Sequence, residues 1–280
     1  MDGAKSGCPY CGRTDGVFIA SKTQQASLEK FFQTDFSLYE CPGCALLYCA
    51  PMTPEVLRGI DDYYAEFYNN KDRARKPAEF IAEIWRSSPV RDALRRVYRK
   101  LRPQTEFAPG RAGEGMAILR AHGVKTLLDA GCSYGGLVRT ALQHGIDAYG
   151  VEPNHEVVSV LHDRKIDRIV QGFFPAQTGP LSRYDAVTIF QVLMNIPDVS
   201  PKFFQACKNA LNPGGILVVF CTDPDKRDSP DMKIALPVPI VVNFTGAKFM
   251  RRVAQDAGFA GYEHVPCRGE PGSCFHVLTA

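Results

Sequence analysis

From residue 124 to the end, the chain alternates between two periods, and few architectures accommodate that alternation. Apolar and β-branched runs at 124–129, 147–151, 167–171, 184–190, 215–221, 260–266 and 274–279 have the length and composition of strands. Between them, 135–144, 154–164, 200–211 and 245–257 carry apolar residues at helical spacing. Strands that alternate with helices pair in parallel, because each crossover helix returns the chain to the same end of the sheet. The last two runs are joined by "CRGEPGS", too short for a crossover, and are expected to pair antiparallel. The expected fold class is α/β, with a doubly wound, seven-stranded, mostly parallel sheet.

The first strand and its exit, "KTLLDAGCSYGGLVRTALQHG", read as strand, glycine turn and amphipathic helix. Glycines there let a backbone approach a ligand closely, and the helix N-terminus favours negative charge. The second strand, "DAYGVEPN", ends on Glu152, where a carboxylate can accept both hydroxyls of a ribose. A ligand-free tight turn is the structural alternative, and the paired signal weighs against it. The acid at Asp129, two residues before Gly131, suits a ligand bearing an ammonium rather than a pyrophosphate.

These stretches resemble the motifs of class I S-adenosylmethionine-dependent methyltransferases. The likeness covers about residues 109–280 and extends to "QGFFPA", "YDAVTIFQVLMNIPD", "LNPGGILVVF" and "FTGAKFMRRVAQDAGF". It implies a Rossmann-like methyltransferase domain with S-adenosyl-L-methionine as donor. The implied donor-binding residues are Asp129, Gly131, Cys132, Ser133, Gly135, Glu152, Pro153, Phe173, Gln191 and Val192. Phe173 would flank the adenine, with Gln191 and Val192 on the sulfonium side. Two positions depart from the pattern. Ser133 replaces the middle glycine of the turn, and Met194-Asn195 stands where Glu-His is frequent.

Five of the ten cysteines lie in the first 52 residues, and four form the pairs "CPYC" and "CPGC". Each C-x-x-C bend aims two thiolates at one point, so Cys8, Cys11, Cys41 and Cys44 can close a tetrahedral, structural zinc site. Reduced pairs without metal, or a redox pair, are the alternatives. No basic flank precedes an apolar region at the N-terminus and no run reaches membrane-spanning length, so a cytoplasmic protein is expected, with reduced thiols. Cys49 has the setting of a core thiol. The stretch "FSLYECPGCALLYCAPMTPEVLRGIDDYYAEFY" resembles a zinc-ribbon leader attached to bacterial methyltransferases of sugar, polysaccharide and natural-product pathways. That resemblance implies a small-molecule or glycan acceptor. The expected organisation is a zinc-binding ribbon over 1–52, a helical connector or lid over 53–108 and the methyltransferase domain over 109–280.

In the connector, Thr53, Pro54 and Glu55 mark a helix start. Val90, Leu94, Val97, Tyr98 and Leu101 mark the buried stripe of a second helix. Arg91, Arg95, Arg96, Arg99, Lys100 and Arg102 beside that stripe could grip phosphate or RNA, or simply form a solvated helix face. A net charge of +3 does not call for nucleic acid by itself. The acid/base candidates are Asp223, in a loop at a strand's carboxyl end, and His264; a polar turn and a structural histidine are their alternatives. Two rival functions remain open at this level. One is an RNA methyltransferase gripping its substrate through the zinc module and basic helix. The other is a donor-binding module without turnover.

Overall fold

The computed structural model describes residues 7–22, 30–32, 35–73, 111–163, 166–226 and 241–280. The basic stretch 91–102 and the apolar stripe beside it lie outside the described residues.

The strands are β1 (Val17–Lys22), β2 (Phe36–Glu40), β3 (Leu47–Ala50), β4 (Thr126–Ala130), β5 (Asp147–Glu152), β6 (Ile169–Gln171), β7 (Tyr184–Phe190), β8 (Leu211–Thr222), β9 (Asn243–Phe244), β10 (Gly261–Pro266) and β11 (Ser273–Thr279). The helices are α1 (Pro54–Arg73), α2 (Arg111–Ala121), α3 (Gly136–Gln143), α4 (His155–Asp163), α5 (Pro201–Asn209) and α6 (Ala247–Asp256). Seven strands form the large sheet in the order β10-β11-β8-β7-β4-β5-β6. β4 through β8 run parallel, while β11 runs antiparallel to both β8 and β10. From β4 the chain builds outward through β5 and β6, then crosses to β7 on β4's other side. Such a reversal opens a crevice at the carboxyl ends of the strands.

The centre of the sheet is buried on both faces, as a sheet covered by helices requires. Leu127 packs among Val138 and Ala141 of α3 and Val157 and Leu161 of α4. Leu128, pointing the other way, packs in the layer of Phe203 and Phe204 of α5 and Phe249 of α6. α1 starts as its residues dictate, with the Thr53 hydroxyl accepting the Val56 amide at 3.3 Å. β8 begins at Leu211 rather than 215, because Leu211 already pairs with Tyr184 ahead of a register shift.

The leader forms a second, antiparallel sheet in the order β1-β2-β3-β9. Its last strand is a two-residue segment from far along the chain, in register Leu47 to Phe244 and Tyr48 to Asn243. Tyr10 anchors the cysteine end. Its ring meets Phe249 edge-on at 5.0 Å, and its hydroxyl donates to Asp256 at 2.8 Å. The amide of Val242 donates to the Met194 carbonyl in the turn after β7, and its carbonyl accepts the Cys49 amide. The leader is thereby tied to the carboxyl end of the large sheet. α1 reaches across to α4, the helix that follows β5.

Candidate active site

β4 delivers Asp129, then turns sharply. Gly131, Ser133 and Gly135 all lie in the left-handed region, at φ of 73°, 47° and 64°. The amides of Gly131 and Cys132 both donate to the Val151 carbonyl, at 2.8 and 3.1 Å, which pins the turn against the end of β5. α3 follows with no side-chain cap and no acid in its first turn. Its opening amides are thus available to an anionic group. Gln191, just after β7, is a further non-glycine residue at positive φ (59°), and such strain persists where surrounding structure holds it.

Gly131 has a steric reason as well. A Cβ there would stand 2.5 Å from Cγ2 of Val192. Gly131→Ala therefore combines left-handed strain of about 1–2 kcal/mol with displacement of Val192. Donor affinity measured by calorimetry is expected to fall at least tenfold. Gly131→Ala with Val192→Ala should recover part of the loss; equal affinity for the single variant and wild type would refute the close approach.

Two carboxylates are buried at the strand ends, Asp129 at 4 % exposure and Glu152 at 3 %. Asp129 accepts the Thr188 hydroxyl at 2.7 Å, and Thr188 is its partner in the β4–β7 register. Burial pushes the Asp129 carboxyl up to about 7; the Thr188 bond opposes this and the Glu152 charge adds to it. Glu152 accepts the Ser133 amide at 2.9 Å on one oxygen and the Asn154 amide at 3.0 Å on the other. Burial also raises its pKa, while these two amide bonds hold it down. Among the described residues no cation pairs with either acid. Each carboxylate oxygen can take a further hydrogen bond, so the pair is arranged for a ligand with hydroxyl donors and an ammonium.

The ten donor-binding candidates all fall along the carboxyl edges of β4, β5, β6 and β7. Cys132 is buried, Pro153 is exposed, and Gln191 and Val192 are half-buried. Phe173 is 73 % exposed on the loop after β6, a large ring with one face open. Thr188 and Asn154 were not among the candidates. Thr188 is legible only once β4 and β7 are known to be neighbours. Asn154 could have been read as an N-cap, since its side chain accepts the Val157 amide at 2.9 Å.

Asp223 and His264 are brought together, with Nε2 of His264 3.5 Å from Asp223 Oδ2. Asp223 is 1 % exposed; its Oδ2 faces the histidine and its Oδ1 accepts the Asp225 amide at 3.0 Å. The neighbouring His276 uses both ring nitrogens, against the Tyr262 hydroxyl at 3.0 Å and the Thr245 carbonyl at 2.9 Å.

At the other end of the leader, Cys8, Cys11, Cys41 and Cys44 converge. The Sγ–Sγ separations are 3.6 Å for Cys8–Cys44 and 3.4 Å for Cys11–Cys41. Sulfurs about 2.3 Å from a tetrahedral zinc lie about 3.8 Å apart, so the four thiols fit such an ion. Both bends are knuckles, with the amides of Gly12 and Ala45 donating to the carbonyls of Cys8 and Cys41.

A doubly wound sheet with an antiparallel last pair, a glycine turn after the first strand and an acid ending the second defines the Rossmann-like methyltransferases. The chain belongs to the methyltransferase domain family, whose model matches residues 72–264. It is 30 % identical over 107 residues to a ubiquinone biosynthesis O-methyltransferase of Serratia proteamaculans (strain 568). That alignment covers 35 % of this chain and 44 % of the relative, less than half of the relative's length. A protein of Nostoc punctiforme described as a candidate O-methyltransferase superposes with a TM-score of 0.50 at 17 % identity, over 60 % of this chain and 55 % of that one. A SAM-dependent methyltransferase of Archaeoglobus fulgidus gives 0.49 at 13 % identity, over 61 % and 95 %. At such identities the structural likeness concerns the fold.

Proposed function

We propose that the cleft above the 131–136 turn transfers methyl groups to a hydroxyl of a small molecule, namely a sugar, a nucleotide-linked sugar or a natural product. In this reading Glu152 holds the donor's ribose and Phe173 flanks its adenine. The glycine turn with Cys132, Ser133 and Gly135 lies under the methionine part, Asp129 serves its ammonium, Pro153 shapes the adenosine side, and Gln191 and Val192 line the sulfonium. Zinc on the four leader cysteines is part of the same proposal.

The observation that carries the acceptor class is the roof. The leader meets the turn after β7 through Val242 and Met194, and α1 reaches α4 beyond β5. A cleft bridged from both sides suits a compact ligand better than a duplex. The oxygen acceptor is supported by the Serratia relative, which is named as an O-methyltransferase. Methyl transfer is an in-line displacement at an already activated carbon, so the protein chiefly supplies proximity and alignment. An oxygen nucleophile must also lose a proton. Asp223 and His264 face each other under residues 243–247, which argues against their serving the acceptor directly. Turnover should be measured on a panel of sugars, nucleotide-sugars and phenolic hydroxyls. Micromolar RNA binding with a steep salt dependence, and no turnover on the panel, would overturn the acceptor class.

The buried acid makes a pH test. With its folded pKa raised to about 7, Asp129 favours the ligand-free fold most when protonated. That contribution is full below its unfolded value of about 3.9 and is lost as pH rises through 7. The donor's ammonium stabilises the carboxylate instead. Affinity for S-adenosylhomocysteine should therefore rise between about pH 6 and pH 8. The slope should vanish in Asp129→Asn; a slope that survives there would remove Asp129 from the donor site.

A further inference from the structure

A second group of metal-type ligands lies at the opposite edge of the large sheet, remote in sequence from the leader cysteines. β8, β10 and β11 present Cys221, His264, Cys274 and His276 on one sheet face, with Cys274 opposite Cys221 and His276 opposite His264. Asp223 follows on from β8. The ligand atoms of Asp223, His264 and Cys274 all lie within 4.8 Å of one another, and so do those of Cys221, Cys274 and His276. The two sets share the Cys274 sulfur.

The separations of Asp223, His264 and Cys274 suit one ion. Zinc bound at about 2.3 Å to sulfur and 2.0–2.1 Å to nitrogen or oxygen sets tetrahedral edges of about 3.8 Å for two sulfurs and 3.3 Å for nitrogen and oxygen. Here His264 Nε2 and Asp223 Oδ2 are 3.5 Å apart; Cys221, 4.0 Å from Cys274, groups with Cys274 and His276 instead and accepts the Thr245 hydroxyl at 3.3 Å. The sulfurs are much farther apart than the about 2.05 Å of a disulfide. The sulfurs and the Asp223 carboxylate are buried, while the His264 side chain is 27 % exposed. Cys274 is 0 % exposed and Cys221 3 %.

One atom in this cluster is orphaned. Nε2 of His264 is buried with no hydrogen-bond partner, although it points at a carboxylate and a thiol. Native structures leave few buried polar atoms in that state, and an absent ion is among the standard reasons. His276 differs, because both of its ring nitrogens are engaged. It buttresses the cluster and is not a ligand.

We propose that Asp223, His264 and Cys274 bind a thiophilic divalent ion, zinc in the cell, with a fourth position left to water. Binding displaces the Cys274 thiol proton to solvent, and three protein ligands leave one position of a tetrahedral ion to water. The ion ties the antiparallel β10–β11 edge to the end of β8 beneath residues 243–247, the segment on which the leader sheet is built. This site does not depend on the acceptor class, nor on zinc in the leader.

The test is elemental analysis of full-length protein grown with zinc and purified without chelator, followed by cobalt(II) substitution. Cys274→Ser and His264→Gln are each expected to carry one zinc fewer per chain than wild type. If the leader is also loaded, the thiolate-to-cobalt charge-transfer band should fall by about a fifth in Cys274→Ser, as five bound thiolates become four. His264→Gln keeps every cysteine and changes an edge-strand residue, so it carries the test should Cys274→Ser fold poorly. Calorimetric binding of S-adenosylhomocysteine identifies the folded variants. Zinc content equal to wild type in folded His264→Gln or Cys274→Ser overturns the proposal, as does recovery of Cys221 and Cys274 as a disulfide.

Discussion

Cys44→Ser is expected to lower the zinc content by one ion per chain and to unfold the leader, while the seven-stranded sheet survives. A structural zinc site contributes on the order of 10–16 kcal/mol of apparent binding free energy at neutral pH. A module of this size buries too little apolar surface to replace that. Its own core is a small cluster around Phe32, Phe36, Leu38 and Val56, completed by Val241, Val242 and Phe244 from the catalytic half of the chain. The large sheet packs through separate clusters on Leu127 and Leu128 and should keep its cooperative unfolding. Limited proteolysis should then cut within the leader first. Because β9 loses its partner β3, the turn holding Met194 loosens, and turnover should drop more than donor affinity. Wild-type protein with well under one zinc per chain, or a Cys44→Ser leader as protease-resistant as wild type, would reject the site.

Glu152→Ala should abolish most donor binding. The carboxylate would serve the ribose hydroxyls, and hydrogen bonds to a charged group contribute about 1.5–3 kcal/mol each. Losing even one of two corresponds to at least tenfold in affinity. The substitution also strands the amides of Ser133 and Asn154, which Glu152 accepts at 2.9 and 3.0 Å, so the glycine turn and the start of α4 lose their common anchor. Glu152→Gln keeps the shape and should fall between wild type and alanine. Zinc content should not change in either variant. Unchanged S-adenosylmethionine affinity in Glu152→Ala would mean that the donor sits elsewhere.

Much of the large sheet was legible because its signals are local. Seven apolar runs, four helical patterns and a short link before the last run were enough for the antiparallel closing pair. The glycine turn was legible for the same reason. Gly131 and Gly135 stand where the backbone needs positive φ, and an acid lies at or next to the end of each of the first two parallel strands. Ser133 departs from the glycine pattern yet adopts φ 47° while its amide reaches Glu152, so the serine does the glycine's conformational work.

What lay beyond reading were contacts between residues with no sequence relation. Nothing in "VNF" marks a strand, and β9 exists only because β3 offers it an edge. Thr188 is one more residue in an apolar run until β7 lies beside β4 and puts its hydroxyl on Asp129. Asp223 and His264 read as two separate acid/base candidates until β10 and β11 fold back on β8 and set them 3.5 Å apart beside Cys274. By itself, then, the sequence determined the strands and helices of the large sheet, their order, the glycine turn and the C-x-x-C pairs, since propensity, periodicity and short spacings act within a few residues. Only the tertiary structure decided which strands became neighbours, where the leader docked and which side chains lost their water. Those outcomes depend on burying apolar faces and satisfying backbone groups across the whole chain at once.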